Sequence, residues 1–191
     1  MPFNLLSQWI NEEKEAGAPD PMQAVLSTVS LDSTPHSRVV SIREIRGSEL
    51  LFFTQKGTKK VIEIENNPQV SLAFWFELHQ REVILEGLAN PLSAQETEQY
   101  WDSYSHLSQL RFAAYAPTSG QVIASKQILE NKKMAIENEY QNKKLPLNPH
   151  YCGFRIKPTK FHFYAFRLDE LSDVEDYYLH GKQWHRQILS P

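Results

Sequence analysis

The stretch 38–60 holds the residues best suited to chemistry: Arg38-Val39-Val40-Ser41-Ile42-Arg43, then Phe53-Thr54, Gly57-Thr58 and the pair Lys59-Lys60. A helix beginning near Lys59 aims the backbone N–H groups of its first turn, and the positive end of its dipole, at the preceding loop. Such an end suits a phosphate monoester. Lys59, Lys60 and Arg38 add charge-assisted donors, and Thr54 a hydroxyl. Lysines in a first helical turn also occur as plain solvated surface. Cations there oppose the helix dipole, however, and a bound anion relieves that repulsion.

Other chemistries find little support. The seven glycines, at 17, 47, 57, 87, 120, 153 and 181, are never closer than ten residues, so neither G-x-G-x-x-G nor a Walker A loop exists. No G-x-S-x-G elbow and no H-E-x-x-H pair is present. The seven histidines are scattered and form no compact ligand set with the single cysteine, Cys152, so no metal site is expected. No general base stands out.

Strands and a short helix must position the 38–60 residues. The apolar run 24–30 and the stretch 37–45, joined by Asp32-Ser33-Thr34-Pro35, predict a hairpin. A short strand follows over 50–54, then a helix capped by Thr58 and ended at Asn66-Asn67-Pro68. Strands are predicted over 69–77 and 81–89, the first alternating Val70, Leu72 and Phe74 with Ser71 and Ala73. Phe3, Leu6, Trp9 and Ile10 predict an amphipathic helix over 3–16, stopped by Gly17 and Pro19. Ser93-Ala94-Gln95-Glu96 matches a capping box opening a helix toward Tyr104, and helices are also predicted over 107–116 and 122–140. The chain closes with strands near 152–157, 160–166, 176–180 and 183–188. Strands in hairpin pairs, interrupted by helices rather than alternating with them, favour a mainly β fold with helical additions, an antiparallel barrel. Phe74, Trp75 and Phe76, and Tyr100 with Trp101, read first as core or interface packing.

A chain of 191 residues with 41% hydrophobic content suits one domain, with an N-terminal helix (1–17), a helical insertion (93–140) and C-terminal strands (152–191). The net charge of −3 gives no general pull toward nucleic acid or anionic membranes. One cysteine allows no intrachain disulfide, and neither a signal peptide nor a run of roughly 18 apolar residues is seen. A cytoplasmic protein is expected.

The order Asp20-Pro21, Arg38 to Arg43, Phe53-Thr54, Gly57-Thr58-Lys59-Lys60, Glu65-Asn66-Asn67-Pro68, Gln80-Arg81-Glu82-Val83, Gly153-Phe154-Arg155 and Trp184 to Pro191 resembles the pyridoxamine 5′-phosphate oxidase family over nearly the whole chain. The resemblance implies an FMN-binding antiparallel split β-barrel, a homodimer with FMN at the subunit interface. It places Arg38, Ser41, Arg43, Thr54, Lys59 and Lys60 against FMN, with the lysines and Arg38 nearest its phosphate. It sets the backbone around Val39, Val40 and Phe53 at the flavin ring, puts Glu82 where the family commonly has a flavin-bonded glutamine, and gives Tyr164 the place of a family tryptophan near the flavin. Arg43, Tyr100 and Ser108 take substrate-binding positions, while Tyr104 stands where the family has an arginine.

One further departure bears on substrate. In place of the family's Arg-x-His-Asp-Arg segment the chain has Leu171-Ser172-Asp173-Val174-Glu175-Asp176, so phosphate recognition needs another cation, Arg111, Arg167 or another nearby base. The implied activity is transfer of a hydride equivalent from a small substrate to FMN and then to oxygen, with pyridoxamine or pyridoxine 5′-phosphate the leading candidate. The alternatives are an FMN-dependent oxidase of a less anionic substrate, as in phenazine biosynthesis, and a flavin-binding protein without turnover.

Overall fold

A computed structural model describes residues 1–141 and 143–191. These form two compact units, one of Met1–Phe52, Glu63–Asn90 and Phe154–Pro191, the other of Phe53–Ile62 and Pro91–Gly153.

The first unit is built on antiparallel strands. β1 (Gln23–Val29) pairs with β2 (Pro35–Arg46) and with β4 (Gln69–Phe76), β2 pairs with β3 (Glu49–Gln55), and β4 pairs with β5 (Arg81–Pro91). β6 (Tyr151–Ala165) follows β5, and its additional pairing with β3 closes a six-stranded barrel; β7 (Asp173–His180) and β8 (Gln183–Ile188) extend the sheet beyond it. This is the mainly β, antiparallel barrel that the hairpin pattern predicts. The period-2 alternation on β4 decides its faces, for Val70, Leu72, Phe74 and Phe76 are buried inside while Trp75 points out.

The C-terminal strands depart from expectation. Two strands are expected over about 152–157 and 160–166, yet β6 runs unbroken through Pro158 and Thr159. β6 passes close to β5 at this point, and Gly87 leaves the room, since an added Cβ would stand 2.3 Å from the Lys157 carbonyl oxygen and 2.7 Å from Pro158 Cα.

Helix α1 (Pro2–Glu15) lays Leu6 and Ile10 on the strands, with Phe3 edge-on to Phe161 and Trp9 edge-on to Phe163. Its buried Glu13 accepts from the Leu78 N–H at 2.8 Å and lies 2.7 Å from His79 Nδ1, tying the helix to the β4–β5 turn. The helix α2 (Lys59–Asn66) begins as predicted, the Thr58 carbonyl accepting from Val61 and Ile62.

The second unit is helical: α3 (Ala94–Ser103), α4 (His106–Tyr115) and α5 (Lys126–Tyr140). Both halves of the Ser93–Glu96 capping box form. Trp101, Phe112, Ala113, Ala116, Leu145 and Tyr151 make its core. Among the described residues no helix is long and apolar enough to cross a membrane.

Candidate functional site

In the second unit, β3 ends at Phe53-Thr54-Gln55 and the chain turns at Gly57, whose φ of 76° suits a residue without a side chain. The turn is held from both sides. Gln55, buried, donates to the Pro117 carbonyl at 2.6 Å and accepts from the Ser119 N–H, while the Thr58 hydroxyl donates back to the Gln55 carbonyl at 2.8 Å. This anchoring brings Lys60 Nζ to 3.2 Å from Thr54 Oγ1, so two of the expected phosphate-binding residues meet; Lys59 beside them is exposed. An ammonium and a hydroxyl at the start of a helix can together bind an anion.

Phe53 turns its ring into an aromatic cluster in the same unit. It lies parallel to Tyr151 at 5.2 Å, with Tyr100 at 4.8 Å and Tyr104 edge-on at 6.2 Å. Gly153 leaves the room, since a Cβ there would stand 2.5 Å from the Phe53 ring. Tyr100 and Tyr104, two of the expected substrate-binding residues, are thereby brought together. Ser108 is engaged elsewhere, its hydroxyl 3.0 Å from that of Ser105 and its N–H capped by it at the start of α4. Burial, reinforced by neighbouring Tyr104, pushes the Tyr115 phenol above its ordinary value.

In the first unit, the outer face of β2, β1, β4 and β5 carries a row of apolar residues in register, Val39 opposite Val25, Val25 opposite Ala73, and Ala73 opposite Ile84. Val39 is 61% exposed and Trp75 48%. Val25, Val39, Ala73 and Trp75, with Gln23 and Glu82, line an open concavity of about 370 Å³. Val39 and Glu82 thus share one surface. Val40 points inward and is buried, whereas Ser41 and Arg43 are exposed. Tyr164 on β6 packs against Phe166 at 4.3 Å, and Phe166 lies edge-on to Trp75 at 5.5 Å, so an aromatic string links Tyr164 to the concavity. Arg38 does not face that concavity; its guanidinium bonds Thr28 and the Leu26 carbonyl and pairs with Glu63.

Of the two expected replacements for the missing basic segment, Arg167 is engaged by carboxylates. Arg167 Nη2 pairs with Asp173 at 2.8 Å, and Asp173 followed by Glu170 raises the guanidinium above its usual value. Arg111 is exposed on α4. On β7, Glu175 is bound by Arg186, which with the Tyr177 hydroxyl outweighs burial and lowers its carboxyl.

The pyridoxamine 5′-phosphate oxidase model matches residues 10–163. The chain belongs to this family. Pyridoxine/pyridoxamine 5′-phosphate oxidases of a Cyanothece species and of Acaryochloris marina are 31% and 32% identical to it, each match covering 100% of this chain and 88% and 86% of those proteins. Among solved structures, PhzG from Burkholderia lata, in complex with tetrahydrophenazine-1-carboxylic acid, superposes with a TM-score of 0.90 at 23% identity, covering 100% of this chain and 92% of that one. A pyridoxamine 5′-phosphate oxidase-related, FMN-binding protein from Nostoc punctiforme does so with 0.80 at 15% identity, covering 98% and 96%. Both share the fold.

Within the family frame, sequence reading anticipated Lys60 with Thr54 and Val39 with Glu82. It missed Gln55, Phe166 and Glu63. Gln55 lies between a strand and a turn, and its partners come from more than sixty residues away. Phe166 and Glu63 carried no signal beyond residue type.

Proposed function

We propose that this family member is an FMN-dependent oxidoreductase of the oxidase type acting on a small substrate. The Lys60–Thr54 pair at the start of α2 carries this proposal, as it offers a cation and a hydroxyl at a helix N-terminus, the donor set a phosphate monoester requires. The open apolar concavity of the first unit suits a flat aromatic ring, with Val39 and Trp75 as apolar walls and Glu82 as its carboxylate. Arg38, Arg43, Ser41, Lys59, Phe53, Val40 and Tyr164 take the further flavin positions that the family resemblance assigns them. When bound, FMN supplies two-electron redox chemistry with oxygen as the final acceptor.

The chain's own contribution is positioning. Tyr100 and Tyr104, held against Phe53, present two phenols from the helical unit to a substrate. Exposed Val25, Val39 and Trp75 form an apolar face that a second copy of the chain would cover, making the protein a homodimer.

Pyridoxamine or pyridoxine 5′-phosphate is the leading substrate, on the strength of the curated relatives. A second reading, a less anionic substrate, is favoured by one observation. Where a phosphate-binding segment would need cations, the chain places Glu170, Asp173 and Glu175, and both nearby arginines, Arg167 and Arg186, are matched by them. The phenazine ligand of PhzG is of that less anionic kind.

Oxygen consumption by the purified, flavin-loaded protein tests the proposal. Turnover with pyridoxamine 5′-phosphate supports the first substrate, and flavin reduction only by other donors supports the second. Bound flavin that no donor reduces indicates a flavin carrier, and a colourless protein without FMN affinity refutes the proposal.

A further inference from the structure

Glu63 is a carboxylate buried to 4% exposure that the functional proposal does not use. One oxygen, Oε2, accepts from the Thr28 hydroxyl at 2.5 Å and from Arg38 Nη2 at 3.3 Å, while Oε1 lies 2.7 Å from His36 Nδ1. Thr28 in turn accepts from Arg38 Nη1 at 2.5 Å, and the same nitrogen reaches the Leu26 carbonyl at 3.3 Å. Strand register explains the convergence, since Leu26 stands opposite Arg38 and Thr28 opposite His36, and all four lie on neighbouring positions of β1 and β2. Burial acts to raise the Glu63 carboxyl, but Thr28, His36 and Arg38 together outweigh it and bring it below the ordinary carboxylate range.

A guanidinium carries five N–H donors in one rigid plane. Three of those on Arg38 are taken, two by Thr28 and Leu26 and one by Glu63. The plane is therefore fixed, and the Nε–H and one Nη2 hydrogen are left without a partner among the described residues, on a side chain that is 21% exposed. A long side chain held this way loses less rotamer freedom when it takes an anion, so a preset guanidinium binds more tightly than a mobile one.

We propose that Glu63, together with Thr28, is a positioning residue that presets Arg38 to hold the terminal phosphate of the flavin. This rests on the FMN proposal, with Arg38 at the phosphate. Glu63 acts only through Arg38 and touches neither cofactor nor substrate. If it served merely to tie α2 to the barrel, its loss would weaken every flavin alike. A preset Arg38 matters only to a flavin that has a phosphate.

The test compares FMN with riboflavin, each titrated into the purified full-length chain and followed by quenching of flavin fluorescence, for wild type, Glu63→Leu, Glu63→Gln and Thr28→Val. Glu63→Leu and Thr28→Val are expected to weaken FMN by about tenfold while leaving riboflavin within about twofold, the scale of one well-oriented charge-assisted hydrogen bond. Glu63→Gln keeps an acceptor for Thr28 and Arg38 and restores the preference for FMN. Riboflavin binding also reports that each variant is folded. Equal weakening of both flavins in Glu63→Leu, or no change in either, overturns the positioning role while FMN binding stands. A wild-type chain that binds neither flavin overturns the FMN proposal and this one with it.

Discussion

Trp75 on β4 and Glu82 on β5 are directly paired across the two strands, on the wall of the open apolar concavity. A carboxylate beside an apolar aromatic surface disfavours any further negative charge placed there. With flavin bound as proposed, Glu82 therefore opposes the anionic reduced form, and Glu82→Gln should raise the reduction potential. For a two-electron couple ~30 mV corresponds to a factor of ten in the equilibrium, and a partly exposed carboxylate should give a shift on the order of 10–30 mV. A redox titration of both proteins measures it, and identical potentials would show that Glu82 does not act on the flavin.

Gly87→Ala should destabilise the barrel without touching the concavity. The new methyl would meet the Lys157 carbonyl oxygen and Pro158 Cα, both backbone atoms that cannot swing aside. Overpacking of this kind commonly costs about 1–3 kcal/mol and more where backbone must move. Urea denaturation should show a lower midpoint with an unchanged slope. A midpoint equal to wild type would mean that β5 and β6 separate freely at this crossing.

Much of the fold was legible because its signals are local. The alternation on β4, the Ser93–Glu96 box and the apolar stripe of α1 each depend on neighbours within a few residues, and each formed as read. Trp75 illustrates the limit. Its type suggests packing, but its odd position in the alternation of Val70, Leu72 and Phe74 sends it outward. The close passage of Pro158 by Gly87, seventy-one residues earlier, is another long-range feature that no local pattern signals. At the site, Lys60 and Thr54 were legible because six residues and one turn separate them. Arg38 was legible as a cation, but its tie to Glu63 was not, since that carboxylate sits in a helix whose packing the sequence alone does not orient.

Asp176 gives the barrel a specific acid sensitivity. It is buried at 4% exposure, and although burial acts to raise its carboxyl, His162 at 2.6 Å and Lys160 at 3.2 Å outweigh it and lower it. A carboxyl lowered on folding binds protons more readily when unfolded, so its contribution to stability is complete above the unfolded value of about 3.9 and is lost as pH falls through the lower folded value. Asp176→Asn should cost about 1–3 kcal/mol at pH 7, by removing the carboxylate that Lys160 and His162 share, and should flatten the fall in stability below about pH 4. Denaturation midpoints measured between about pH 2 and 7 decide it, and an unchanged acid slope in the variant would assign the sensitivity to other carboxylates, such as Glu63 or Glu175.

Val39→Lys should dissociate the proposed dimer. Val39 is 61% exposed in the middle strand row formed with Val25, Ala73 and Ile84, an apolar line that solvent alone would not favour. A lysine at the same place on each of two facing copies puts like charges into a desolvated contact, which costs several kcal/mol on association. The side chain points away from the barrel interior, so the isolated chain should fold as before, with an unchanged circular dichroism spectrum. Sedimentation equilibrium should then show the wild type at twice the chain mass and the variant at the chain mass, with FMN affinity falling as well, both because Val39 walls the proposed flavin concavity and because each flavin would lose the surface contributed by the second copy. A wild type that sediments as a monomer while binding FMN would remove the dimer from the proposal, and a dimeric variant would move the contact to another face of the barrel.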